Sequence, residues 1–221
     1  MTILPLVDIF PLAGKPPPVP EQARQAAMGD PWVQQHYPLP SDVWQALLVQ
    51  HDHPAGIAFL ESLDGCREYK TCLRAMPALK LVPAVRSYRN DKRDKWNYPA
   101  IDAEMALHGL PLSVGQVLYH GGEWNGGSTM AVGATVTVPR VLSTSWTPQV
   151  ALTHARSVPG RCLFVLRIAP GMPVRALPLK NRKNEQLGHE REVLVEAGVV
   201  LTCTKVHVTG KVPVIECSMG R

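Results

Sequence analysis

Val117-Leu-Tyr-His-Gly-Gly122, Leu142-Ser-Thr-Ser-Trp146 and Glu190-Arg-Glu192 follow one another in the C-terminal half of this chain. Each adjoins a short run rich in Val, Leu and Thr, so a polar strand end, a hydroxyl cluster and paired carboxylates come in that order. Working outward, β-type runs separated by Gly and Pro fall at 116–119, 135–138, 140–143, 162–168, 192–195, 199–208 and 212–217. One helix interrupts them at 148–157, opened by Pro148 with Thr147 as its cap.

Residues 21–110 have a different grain. Ser41-Asp42 can cap a helix whose Val43, Trp44, Leu47 and Leu48 share one face, and further helices are expected at 21–28, 55–63, 67–75 and 100–107. Helices first and strands second imply an α+β fold rather than alternating βαβ units. Pro16, Pro17, Pro18 and Pro20 make residues 1–20 a stiff extended arm, which leaves 21–110 as an N-terminal helical region and 111–221 as the core carrying the three motifs.

At 221 residues, with 45% hydrophobic and 19% charged side chains, the chain can bury a core without disulfides. Five cysteines without CxxC spacing argue against a zinc site and a disulfide framework; a Cys66/Cys72 bridge would need an oxidising compartment. His51-Asp52-His53 has metal-ligating side chains but no third ligand in view, so no metal is expected. The apolar N-terminus lacks a basic leader and is broken by Pro5 and Asp8, and no run reaches membrane-spanning length; a soluble protein is expected. A net charge of +5 permits an acidic or nucleic-acid partner without demanding one.

Each motif has a plain reading. His120 could be a turn histidine, the hydroxyls of Ser143, Thr144 and Ser145 could cap the following helix, and Glu190 and Glu192 could be a solvated strand edge. Their chemistry also suits a site. A neutral imidazole both donates and accepts, a hydroxyl can hold a carboxylate in orientation, and two carboxylates spaced by one residue on a strand point to one face. Arg86, Arg89, Lys92, Arg93 and Lys95 interleave with Tyr88, Trp96 and Tyr98, a mix able to hold phosphates and stack bases or simply to form a solvated connector.

Taken in order, Tyr119-His120-Gly121, Ser143-Thr144-Ser145 and Glu190-Arg-Glu192 resemble the ADP-ribosyltransferase superfamily, particularly bacterial toxin-like and phage mono-ADP-ribosyltransferases. In that family a strand ends in Arg-Gly or His-Gly, a Ser-Thr-Ser follows, and a Glu-x-Glu or Gln-x-Glu opens a later strand. This chain departs from the usual combination in carrying His120 where the Ser-Thr-Ser type has arginine.

The resemblance implies two antiparallel sheets packed face to face with an NAD cleft between them, and a helical N-terminal region at one side. It implies NAD as substrate and Glu192 as the carboxylate facing the reacting ribose, with Glu190 orienting the acceptor. Ser143 and Ser145 would position Glu192, His120 would bond a ribose, and the Gly121 backbone would meet the nicotinamide amide. Tyr119, Trp124 or Trp146 would stack on nicotinamide, and Thr144 belongs to the same binding set. The expected acceptor is a protein arginine, in the cytoplasm of a host or target cell. Transfer to RNA, NAD hydrolysis and a non-catalytic binding module on the same fold are the alternatives.

Overall fold

The computed structural model describes residues 2–90, 96–124, 131–179, 191–208 and 212–221. The chain forms two compact units, one of residues 8–66 and one of residues 1–7 with 67–221.

In the smaller unit, β1 (Leu12–Ala13) pairs antiparallel with β2 (His36–Tyr37), and α1 (Val19–Ala27), α2 (Pro40–Val49) and α3 (Pro54–Gly65) complete it. The expected apolar face of α2 is real, with Val43, Trp44 and Leu47 buried. The helix begins one residue earlier than Ser41 because Pro40 supplies a preset φ and the Asp42 carboxylate takes the Leu39 N–H at 2.7 Å. His53 caps α3, its Nδ1 accepting the Ala55 N–H at 3.1 Å. That bond gives the His-Asp-His motif a local structural role. Among the described residues no group of three or more His, Cys, Asp or Glu side chains could hold a metal ion.

The larger unit holds α4 (Arg67–Arg74), α5 (Pro83–Asn90), α6 (Tyr98–His108), α7 (Pro148–Arg156) and a nine-stranded sheet. The strands are β3 (Leu110–Pro111), β4 (Val117–Gly122), β5 (Thr135–Thr137), β6 (Leu142–Ser145), β7 (Cys162–Ile168), β8 (Arg175–Pro178), β9 (Glu192–Val195), β10 (Val200–His207) and β11 (Val214–Gly220). Their order is β3-β8-β9-β6-β4-β7-β11-β10-β5. The class is α+β, as expected. The strands form one large mixed sheet, in which β3-β8-β9-β6 and β4-β7-β11-β10-β5 meet at a single paired position, Tyr119 with Ser145. One pair, β7 with β11, is parallel, because three strands intervene in sequence and bring the chain back in the same direction.

Helices α4 to α6 belong with the sheet. Val82, Val85, Ile101 and Met105 form one core cluster with Val141, Leu177 and Leu194, and burying each such side chain contributes about 1.5–3 kcal/mol. Glu104 of α6 accepts the Ala84 and Val85 N–H groups at 2.8 Å each, which satisfies donors in the first turn of α5. Residues 1–20 are not one arm. Leu4 is buried with its N–H bonded to the Pro111 carbonyl, whereas residues 12–13 are strand and 19–20 open α1, where a proline early in a helix is tolerated. No disulfide joins any of the five cysteines. Among the described residues no helix is long and apolar enough to cross a membrane.

Candidate active site

The site forms where strand pairing fails. Continuing the antiparallel register from Tyr119 opposite Ser145 would set Gly121 opposite Ser143, but the ladder stops after that single pair. A backbone carbonyl left in such a gap still needs a donor. The Ser143 carbonyl takes it from the side chain of His120, whose Nδ1 lies 2.7 Å away. A carbonyl only accepts, so the imidazole proton sits on Nδ1 and Nε2 carries the lone pair. Burial lowers the His120 pKa, and the nearby His154 and Arg161 push it further down against the opposing effect of the Ser143 bond. His120 is therefore a neutral imidazole at pH 7, fixed in one tautomer.

Two glycines make this possible, for different reasons. A Cβ at Gly122 would run into the His120 imidazole at Nε2, so the ring can lie over that strand residue only because it is glycine. A Cβ at Gly121 would meet the Ala151 carbonyl, the Ala155 nitrogen and the His154 side chain. Gly121 thus lets α7 pack directly onto β4.

Across the seam, β6 pairs antiparallel with β9, with Ser145 opposite Glu192 and Ser143 opposite Leu194. Ser143, Ser145 and Glu192 share one face, and Ser143 is the diagonal neighbour of Glu192. Its Oγ donates to Glu192 Oε1 at 2.6 Å. Glu192 is 6% exposed, so its carboxylate is oriented within a largely desolvated site. The residue just before it, Arg191, has φ 45°, a left-handed backbone that costs a non-glycine residue roughly 1–2 kcal/mol. The Trp146 N–H holds that turn by bonding to the Arg191 carbonyl at 3.1 Å.

The three motif hydroxyls divide their tasks. Thr144, on the other face of β6, donates to the Val193 carbonyl at 2.7 Å and closes the β6/β9 ladder. Ser145 Oγ accepts the Thr147 N–H at 3.0 Å and meets the Thr147 hydroxyl at 3.3 Å, fastening the entry to α7. Thr147 is the N-cap of α7 but makes no side-chain cap bond. Of the two serines expected to position Glu192, Ser143 bonds its carboxylate, and Ser145, directly opposite Glu192 in the ladder, also anchors the helix beside it.

Together these elements enclose a cleft of about 190 Å³ lined by Tyr119, His120, Gly121, residues 143–145, Val150, Ala151, His154 and Glu192. The sequence reading missed Val150, Ala151 and His154. Their spacing puts them on one face of α7, and that periodicity was the available signal. Arg161, beyond the helix, donates to the His154 carbonyl at 3.4 Å and lies 3.8 Å from Glu123.

The three aromatic candidates separate clearly. Tyr119 is buried in the lining, and burial raises its phenol pKa. Trp124 stacks on Phe164 with centroids 6.2 Å apart. Trp146, expected in the binding set, is buried edge-on against Tyr69 at 5.9 Å and does not line the cleft. Its place in the core follows from strand alternation, which puts it on the opposite side from Ser145. Glu190 and most of the loop expected to present the target lie outside the described residues.

No protein-family model matches the sequence, and no curated protein matches it. Among solved structures the chain is similar to C3stau2 from S. aureus, determined with NAD, with TM-score 0.46 and 13% identity over 66% of this chain and 89% of that one. It is similar to the Clostridium limosum C3 exoenzyme, with TM-score 0.47 and 11% identity over 72% and 95% of the two chains. It is also similar to Vis toxin, an ADP-ribosyltransferase from Vibrio splendidus, with TM-score 0.40 and 16% identity over 83% and 87%.

Proposed function

We propose that this chain is a mono-ADP-ribosyltransferase effector or toxin that transfers ADP-ribose from NAD to a macromolecular target, with a protein arginine as acceptor, and releases nicotinamide. The observation that carries this reading is the relay from His120 through Ser143 to Glu192: an imidazole fixes the backbone of a serine whose hydroxyl fixes a buried carboxylate.

The chemistry suits that arrangement. Cleavage of the nicotinamide glycosidic bond sends the electron pair out with nicotinamide and leaves positive charge on the ribosyl carbon and ring oxygen. A preorganised carboxylate in a desolvated cleft stabilises that charge where water would have to reorganise around it. Glu192 takes this role, and Ser143 holds one of its oxygens in place. His120 Nε2, an acceptor, takes a hydrogen bond from a ribose hydroxyl. The NAD diphosphate is anionic, and among the described residues His154 lines the cleft and Arg161 lies close enough to act on His120. Neutral acceptors beside a carboxylate, with Arg161 nearby, fit a ribosyl diphosphate.

The acceptor is assigned from the resemblance. A second carboxylate, Glu190, is two residues before Glu192 in sequence and can pair with a guanidinium. The competing acceptor, RNA, draws on the net charge of +5 and on residues 86–98, whose Lys92, Arg93 and Lys95 lie outside the described residues and whose aromatic rings are Tyr88, Trp96 and Tyr98. Those rings pack on one another at 4.4 and 6.2 Å, and Arg140 sits 4.4 Å over Tyr98, so the cluster is occupied by its own members.

The test is incubation of the protein with labelled NAD and a lysate, followed by protease or ribonuclease. Label erased by protease alone is the expected result. Erasure by ribonuclease would replace protein with RNA as acceptor, and nicotinamide release without label would make the protein a hydrolase. Neither label nor nicotinamide would overturn the enzymatic reading.

A further inference from the structure

Away from the cleft, Cys203 of β10 and Cys217 of β11 are direct partners in the antiparallel ladder, so their side chains leave the same face of the sheet. The Cys203 N–H bonds to the Ala134 carbonyl and its own carbonyl accepts from the Gly133 N–H, both at 2.8 Å. Both backbone groups of Cys203 therefore point away from β11. That makes the Cys203 and Cys217 pair a non-hydrogen-bonded one, whose Cα atoms stand about 4.5 Å apart. A disulfide needs Cα atoms roughly 4.4–6.8 Å apart. The register slips immediately after Cys203, between it and Lys205, a bulge of the kind that bends a strand and increases its twist locally.

We propose that Cys203 and Cys217 are a disulfide site, closed as a cross-strand link when the chain folds under oxidising conditions and left as two thiols when it folds under reducing ones. The oxidant is a small-molecule disulfide of the glutathione class. A thiolate from one cysteine attacks it, forming a mixed disulfide and expelling one glutathione thiolate. The second cysteine then attacks the protein sulfur of that mixed disulfide and expels another. One glutathione disulfide is reduced to two thiols, two protein thiols are oxidised, and their protons pass to the released thiolates or to solvent.

Both cysteines are 1% exposed once the sheet is formed. Burial also raises both thiol pKa values, that of Cys217 to about 12, with Cys203 adding to the shift. Exchange in the folded sheet is therefore slow, because the thiolate is the reacting form and neither reagent nor water reaches it. The redox state is set before β10 and β11 close. It then persists as a record of the compartment in which folding occurred.

The experiment is to refold the full chain from denaturant in a reduced and oxidised glutathione mixture, and in parallel with a reductant. Thiols are then alkylated after unfolding and the peptides mapped. Expected are a 2 Da loss, a linked peptide pair carrying Cys203 and Cys217, and a thermal midpoint several degrees above the reduced form. A Cys66→Ser variant should form the same link, and folded wild type exposed to the same mixture should resist oxidation. Five alkylated thiols after oxidative refolding, a link between other cysteines, or an oxidised product that fails to refold would each overturn the proposal.

Discussion

Strands β10 and β11 are paired at seven positions, whereas β4 and β6 share one. In the long ladder backbone groups satisfy one another, and inward side chains such as Leu201 and Met219 pack in the core. At the seam the ladder gives out, and the unmatched Ser143 carbonyl recruits His120. The interruption orders an imidazole, a serine and a carboxylate without a dedicated loop. The proposed site sits at the position where the sheet is least regular, held by groups the regular sheet would have used itself.

The largest expected effect breaks the seam's chemistry while leaving its pairing intact. Glu192→Gln keeps shape and burial but removes the charge, and should lower nicotinamide release by at least 10²-fold to 10³-fold, measured at matched far-UV circular dichroism. Next is Gly121→Val. Added carbons would collide with the α7 backbone at Ala151 and Ala155, and overpacking of this kind costs about 3 kcal/mol or more, read as a fall in denaturation midpoint.

A pair of serine variants sharpens the contrast within one strand. Ser143→Ala removes a hydroxyl bonded to a carboxylate, an interaction worth about 1.5–3 kcal/mol, and should slow nicotinamide release by roughly 10-fold to 100-fold. Ser145→Ala, two residues away on the same face, should cost about 1 kcal/mol of stability by releasing the Thr147 N–H, with a smaller change in rate. Equal effects on rate would show that the division of labour drawn from their partners is wrong.

The smallest effect is one of pH. His120 has a folded pKa below its ordinary value near 6.5, so the unfolded chain binds its proton more readily. The stability that this neutral histidine contributes is present above about pH 6.5 and is lost as pH falls through the lower folded value. A plot of thermal midpoint against pH should drop more steeply on the acid side for wild type than for His120→Asn.

Much of this was legible in sequence because it depends on local periodicity. The short β runs and the Pro148 helix start follow from alternation and turn chemistry, while the pairing of Ser143 with Glu192 was implied by the family resemblance. What escaped depends on which strands become neighbours. Nothing near Tyr119 or Ser145 announces that their pairing stops after one position, and nothing near Cys162 announces a parallel partner in β11. Trp146 looked like a ligand-facing ring because it follows the hydroxyl cluster, yet alternation alone turns it toward Tyr69. His53 offered a metal ligand by composition, while its position before Pro54 made it a helix cap.

The most direct measurement of the central claim is nicotinamide released from NAD by purified wild type and Glu192→Gln, each confirmed folded by a cooperative thermal transition. Release by wild type that falls at least a hundredfold in the variant is the predicted result. Release at equal rates in both proteins would contradict the assignment of the seam carboxylate as the catalytic group.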